Sequence, residues 1–385
     1  MADFDFDAPI DRRGTGAYKW DRYEGRDIIP LWVADMDFAS PPCVIDALQR
    51  RVAHGVFGYT HAPETTTAAV LDYLQRIHQT TCASEEVVWL PGCVPALSMA
   101  CAAAGEVGSR VLCMTPVYPP FRVVHRDSSR NLIEVPLRAD ASGKYAIDFD
   151  AIEDAIDEQT RVLLFCNPHN PVGRAFSRED VERLAELCVR HDLLLCSDEI
   201  HCDLVLDEAT TPHYSALRLQ GEIRERLIVL MAASKTYNVA GLACAFAVVP
   251  NAALQRRFRH AAGKLMPEIS PLSFVATEAA YREGEPWRRA LLAYLRDLRD
   301  RMSHFIAEEC PGVVMSPLEA TYLAWLDVRS LELDDAHAYF ESHGLGFSNG
   351  VDFGGPGFVR FNFGTTRANV EAALERLRDA VRAAR

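Results

Sequence analysis

The sequence predicts an α/β protein, with a mostly parallel sheet covered by helices on both faces and a smaller α+β unit following it. Three observations carry this. Between residues 86 and 250, short apolar runs alternate with amphipathic segments, the pattern of strands joined by crossover helices. After "YREGEPW" (281–287) that alternation gives way to a long charged helix and then to mixed strands and helices. The chain has 385 residues with 49% hydrophobic content, which suits two domains better than one.

The elements follow in order. Residues 1–40 read as irregular, with "IIPLWVADMDF" an extended apolar piece. "PPCVIDALQRRVAHG" (41–55) is an amphipathic helix that starts at proline and stops at glycine. "PETTTAAVLDYLQRIHQ" (63–79) is a second helix. Strand "EVVWL" ends at Pro91-Gly92 and feeds helix "VPALSMACAAA". Strand "RVLCM" leads into "TPVYPPF", and strand "RVLLFC" (161–166) into "NPHNPVG". Helix "SREDVERLAELCVRHD" opens with Ser177 and the acidic pair Glu179-Asp180, good N-terminal residues. Strand "LLLCS" ends in "DEIH", strand "RLIVLMAA" in "SKTYN", and strand "ACAFAVVP" follows Gly241. A helix over 288–310, strand "TYLAWLDV", helix "DDAHAYFESHG", strand "FVRFNFG" and a terminal helix from about Arg367 make up the smaller unit.

Composition narrows the function. The formal net charge is −14 with no basic cluster, so neither nucleic acid nor an anionic membrane is an expected partner. The first 20 residues lack an apolar signal core, and no run approaches bilayer-spanning length. The 11 cysteines sit mostly inside apolar stretches without paired metal-ligand spacing. Reduced thiols in a cytoplasmic protein are the expectation, with no metal site.

Only four lysines are present: Lys19, Lys144, Lys235 and Lys264. Lys19 lies in a polar stretch, Lys144 in a turn, and Lys264 after a basic helix face. Lys235 alone follows directly on an apolar strand. A lysine there is either an ordinary loop residue or a desolvated amine, which loses proton affinity and turns nucleophilic.

Ligands in an open parallel sheet bind beyond the carboxyl ends of the strands. Five loops bring polar groups to those ends. "PGCVPALS" opens a helix, where backbone N–H groups suit a phosphate. "PVYPP" offers Tyr118. "NPHNPVG" offers Asn167 and Asn170 in a stiff turn with room for a cis X–Pro bond. "SDEIH" offers Asp198, and "ASKT" offers Ser234 and Lys235. An amine, a carboxylate, an aromatic face and a phosphate cup are what pyridoxal phosphate needs from a protein.

With "RRGTGAYKWD", "IIPLWVADMDF", "HGVFGYT", "PGCVPALS", "PVYPPF", "CNPHNPVGR", "SDEIHCDLV", "SKTYNVAGL", "GEPW" and "EATYLAWLD" in that order, the chain resembles the fold-type I pyridoxal-phosphate enzymes of the aspartate aminotransferase superfamily. Within them it is similar to the MalY/PatB group of cystathionine β-lyase-like C–S lyases. The resemblance implies the transferase fold of type I, with a mostly parallel sheet of the seven-stranded type. It also implies an N-terminal segment (1–40) joining the small domain, a large cofactor domain (41–285) and a small C-terminal domain (286–385).

The resemblance further implies a role for each matched residue. Lys235 links covalently to the cofactor and later moves the substrate Cα proton. Asp198 pairs with the pyridinium nitrogen, Asn170 donates to the phenolic oxygen, and Tyr118 stacks on the ring. The backbone at Cys93 and Val94, with Ser234, holds the phosphate. Tyr59 reaches the cofactor phosphate and substrate of the other subunit, which implies a homodimer with shared active sites. Arg360 takes the substrate α-carboxylate as a bidentate fork, and Ala34 lines the substrate side. Two positions depart from the broader superfamily. His201 stands where many aminotransferases carry tyrosine, as a structural residue or a cofactor contact. Ala243 stands where many carry a phosphate-binding arginine. The activity implied is β-elimination from L-cystathionine or another cysteine S-conjugate. An aminotransferase of an L-amino acid and a regulatory protein that retains the fold are the alternatives.

Overall fold

A computed structural model describes residues 4–263 and 266–384. The larger of its two main sheets has seven strands. In spatial order they are Val87–Leu90, Ala245–Val248, Leu227–Met231, Leu194–Asp198, Thr160–Cys166, Arg110–Thr115 and Asn131–Pro136. Only Ala245–Val248 runs against its neighbours, so the sheet is mostly parallel. Its inner strands are apolar on both faces because both are covered. Val162 and Leu164 pack in one cluster with Leu97 and Phe258, from helices Cys93–Ala103 and Ala252–Ala262. Leu163 and Phe165 point the other way, into a cluster shared with helices Glu64–His78, Arg178–Arg190 and Pro271–Glu283.

The second sheet has five strands in the order Ile29–Leu31, Leu345–Asn349, Phe358–Asn362, Leu323–Asp327 and Val314–Met315. Ile29–Leu31 pairs in parallel with Leu345–Asn349, which draws the residues just after it, 32–38, toward Arg360 and Tyr322.

Some elements differ from the sequence reading. Asn131–Pro136 is an edge strand, half-exposed and ending in proline, with Leu132, Ile133 and Val135 broken by Glu134, a short run absent from the sequence reading. Pro271–Glu283 is a helix capped by Ser270. The long helix expected from residue 288 begins at Glu285, because Pro286 fits the first turn of a helix.

Candidate active site

At the carboxyl edge of the large sheet lies a cavity of about 250 Å³. Its wall includes Ala34, Cys93, Val94, Tyr118, Asn170, Asp198, His201, Ser234 and Lys235. Nine of the residues singled out in the sequence therefore meet in one place. Asp198 closes its strand, and Lys235 comes four residues after the end of the next strand over. Adjacent parallel strands that end together bring these loops side by side.

Lys235 is half-buried and lines the cavity. Its Nζ donates to the Ala34 carbonyl at 2.7 Å. Burial holds this amine below the ordinary lysine range, and the Arg360 charge adds to that, while Asp35, Cys93 and Asp198 oppose it. Asp198 is 4% exposed and accepts the Ile200 N–H at 3.1 Å. Burial pushes its carboxyl up to about 7, with Glu199 adding, against the Ile200 N–H and Lys235. A buried carboxylate held by one N–H fits a cationic ring nitrogen, and that nitrogen would restore its charged form.

Arg360 is also buried, and burial pushes it down to about 10. Its Nη1 donates to Asn170 Oδ1 at 2.9 Å, and its Nη2 to the Trp32 carbonyl at 2.6 Å and Ser348 Oγ at 3.1 Å. Its Nε has no partner, and its charge lies 4.7 Å over the Phe353 ring. No carboxylate pairs with it among the described residues, so a ligand carboxylate would complete the set. The same bond orients Asn170. Its oxygen is taken, which leaves the amide N–H groups as donors toward a phenolic oxygen. Tyr118 is tied to this turn by its N–H, which donates to the Asn170 carbonyl at 2.9 Å. Asn167 serves the turn instead, accepting the Phe176 N–H at 3.0 Å. The turn contains two cis peptide bonds, Asn167-Pro168 and Asn170-Pro171.

At one end of the cavity the groups on offer are mainly backbone. Helix Cys93–Ala103 has no side-chain cap, so the N–H groups of its first turn remain for an anion, favoured by the helix dipole. Ser234 stands nearby on the wall, with its hydroxyl 3.5 Å from the Cys244 carbonyl. Burial pushes the Cys93 thiol well up, so it stays protonated. His201 is buried, pushed down to about 3 by burial with Lys235 and Arg360 adding, and its Nδ1 has no partner. A neutral imidazole on the cavity wall with a nitrogen to spare suits a cofactor contact.

Tyr59 is not at this cavity: its side chain is 100% exposed, beside exposed Val56 and Phe57. Lys19, read as a residue of a polar stretch, is fully buried and ion-paired to Asp37 at 2.9 Å. The "VADMDF" piece supplies the carboxylates that offset its desolvation, a long-range pairing invisible to local polarity. Lys144 pairs with Glu319 at 3.3 Å, and Lys264 lies outside the described residues. All eleven cysteines are free and ten are buried. Among the described residues no helix is long and apolar enough to cross a membrane.

Three contributors escaped the sequence reading. The Tyr322 hydroxyl donates to the Ala34 carbonyl at 3.0 Å. Asn238 grips residues 36–38, donating to the Met36 and Phe38 carbonyls at 2.9 and 2.8 Å and accepting the Met36 N–H at 3.0 Å. Asn362 donates to the Asp35 carbonyl at 2.8 Å. Both asparagines lie within segments already singled out, "SKTYN" and "FVRFNFG". An asparagine two or three residues after a functional one is the signal the sequence offers.

Residues 26–377 match the family described as aminotransferase class I and II. The chain is 36% identical to cystathionine beta-lyase PatB of Bacillus subtilis (strain 168) over 388 residues, covering 98% of this chain and 99% of the relative. The crystal structure of OvoB superposes with a TM-score of 0.95 at 41% identity, covering 98% of this chain and 99% of that one. Cystalysin from Treponema denticola, whose crystal structure contains pyridoxal 5'-phosphate, superposes at 0.93 with 30% identity, covering 99% and 100%.

Proposed function

This chain belongs to the aminotransferase class I and II family, and from that premise we propose that it is a pyridoxal-phosphate-dependent C–S β-lyase. It cleaves L-cystathionine or a related cysteine S-conjugate to a thiol, pyruvate and ammonia, with water as co-reactant. The observation that carries the reading is the convergence of Lys235, Asp198 and Arg360, three ionisable groups desolvated by the fold without opposite charges bonded to them, in a chain 36% identical to PatB over nearly its full length.

Lys235, Asp198, Asn170, Tyr118, His201, Ser234 and the backbone at Cys93 and Val94 would hold the cofactor. When bound, pyridoxal phosphate supplies an aldehyde for amine exchange and a protonated ring that spreads negative charge from the substrate Cα. The chain's own residues do the rest. Arg360 binds the substrate α-carboxylate and so fixes which bond at Cα faces the cofactor plane. Asp198 keeps a proton on the ring nitrogen by remaining charged opposite it. The Lys235 amine, kept below its ordinary range by burial, takes the Cα proton on Nζ. Ala34, 8% exposed, closes the substrate side and limits water there.

Two further assignments belong to this reading. The chain acts as a homodimer in which Tyr59 serves the partner's site. The exposed apolar run Val56, Phe57 and Tyr59, with Val94 at the cavity wall, supports such a contact. It works in the cytoplasm, as its free, buried cysteines suit a reducing compartment.

The test is a panel of S-substituted cysteines with the purified protein, assayed for pyruvate and thiol without any keto acid. Equal pyruvate and thiol are expected. Turnover that requires a keto-acid acceptor and leaves the C–S bond intact would replace this reading with an aminotransferase.

A further inference from the structure

One oxygen atom organises the reactive amine. The Ala34 carbonyl receives Lys235 Nζ at 2.7 Å and the Tyr322 hydroxyl at 3.0 Å. The peptide that carries it is fastened from outside. Asn362 holds residues 33 and 35, donating to the Val33 carbonyl at 2.5 Å and the Asp35 carbonyl at 2.8 Å. Asn238, three residues after Lys235 on the same loop, holds residues 36 and 38. Ala34 O is thus a fixed point rather than a loop atom that follows the lysine.

Tyr322 is fully buried, and the Ala34 carbonyl is the partner of its hydroxyl. The backbone before it is unusual. Thr321 has φ +76°, a left-handed value that a β-branched residue rarely adopts, and it too is fully buried. The turn is held on both sides: Thr321 N–H donates to the Leu204 carbonyl at 2.8 Å, and the Tyr322 carbonyl accepts the Phe363 N–H at 2.9 Å. A strained residue locked in this way sets where the next side chain goes, and such strain concentrates at functional sites.

We propose that Tyr322 is a positioning residue for Lys235: by donating to the same fixed carbonyl, it defines where the freed amine rests and keeps that amine's lone pair available. The chemistry is one of competition. A carbonyl oxygen favours an ammonium over an amine, because the ammonium is the stronger donor. An oxygen already engaged by a phenol has less to give, so sharing it disfavours protonation of Lys235. The other groups facing that amine are Asp35, Asp198, Cys93 and Arg360, with His201 also nearby. None of them touches Ala34 O, so removing the phenol hydroxyl changes this one contact. The inference rests on Lys235 being the reactive amine, and it is independent of which sulfur substrate is used.

Tyr322→Phe removes the hydroxyl and keeps the ring. The first readout is the rate at which cofactor-free protein captures pyridoxal phosphate as a function of pH, which follows the unprotonated fraction of Lys235. Its midpoint is expected to move up by about half to one pH unit, the size of one hydrogen bond. The second is steady-state turnover of a cysteine S-conjugate. A fall in kcat of about tenfold, with KM within about threefold, is expected of a group that acts on the base rather than on substrate binding. A capture midpoint unchanged in Tyr322→Phe overturns the inference while leaving the lyase reading intact. Loss of capture in Lys235→Ala with retained turnover would instead overturn the reading on which it rests.

Discussion

Replacing Asp198 by Asn in the cofactor-free protein tests whether this carboxyl is held ready for a cation. The side chain stands at about 7 in the fold against 3.8 when free, chiefly because it is buried. A carboxyl raised in this way binds its proton more tightly in the folded chain than in the unfolded one. Stability therefore falls as pH rises from about 4 to about 7, and the full cost is present above 7. The gap corresponds to about 4 kcal/mol at most, of which about 2–3 kcal/mol develops between pH 5 and pH 8. Asn cannot ionise, so the variant escapes that cost, although its buried amide donors cost about 1–3 kcal/mol if left without partners. The pH trend is thus a cleaner readout than either absolute stability. Urea unfolding of both cofactor-free proteins at pH 5 and pH 8 supplies it. The wild type is expected to lose about 2–3 kcal/mol more than Asp198→Asn across that interval, while the variant's turnover with cofactor falls by orders of magnitude. Parallel pH trends in the two proteins would refute the argument that Asp198 is a destabilised carboxylate awaiting a positive charge.

The remaining predictions address the other parts of the site. The purified protein is expected to be yellow, and borohydride should fix the cofactor to a peptide containing Lys235; a label on Lys19, Lys144 or Lys264 would contradict the assignment. Arg360→Ala is expected to cost about 2–5 kcal/mol in kcat/KM for amino-acid substrates, the usual loss for a desolvated charge pair; near-normal kcat/KM would remove it from the carboxylate site. Inactive Tyr59 and Lys235 variants, mixed under conditions of subunit exchange, are expected to regain activity, since one site of the hybrid carries neither lesion. Exchange without recovery would exclude a shared site.

Much of this site was legible because its residues lie at strand ends, where apolar runs stop abruptly. Lys235, Asp198, Asn170 and Tyr118 each follow or close such a run, and β/α alternation dictates that these ends share one edge. Arg360 was visible as a charge inside an apolar strand. The edge strand Asn131–Pro136 was not, since Glu134 interrupts its short apolar run and an edge strand need not be apolar throughout. Lys19 was misread because its burial depends on Asp35 and Asp37, distant in sequence and brought near by the fold. Tyr322 went unassigned for a related reason. Its role depends on a backbone oxygen nearly 300 residues away, and backbone acceptors leave no trace in residue type.

The charges elsewhere in the molecule argue for catalysis over a purely structural use of the fold. Most buried charged groups away from the cavity face an opposite charge, Arg130, held by the Ser128 and Gly105 carbonyls, being an exception. Lys19 has Asp37 at 2.9 Å, Glu199 has His213 at 2.9 Å, and Asp203 accepts the Tyr73 hydroxyl at 2.7 Å with His78 at 3.5 Å. Such pairing limits the desolvation cost of each charge. Lys235, Asp198 and Arg360 are held instead by neutral groups: a carbonyl, a single N–H, and an amide, a carbonyl and a hydroxyl. Each is shifted toward its uncharged form by burial. A protein that kept this fold only to contact a partner would gain stability by pairing or replacing them, as it does at Lys19, Glu199 and Asp203. The three gaps call for a carbonyl carbon opposite Lys235, a cationic ring nitrogen opposite Asp198 and a carboxylate opposite Arg360. Pyridoxal phosphate with an amino-acid substrate supplies all three at once, so the arrangement that weakens the empty fold is the one that the loaded enzyme requires.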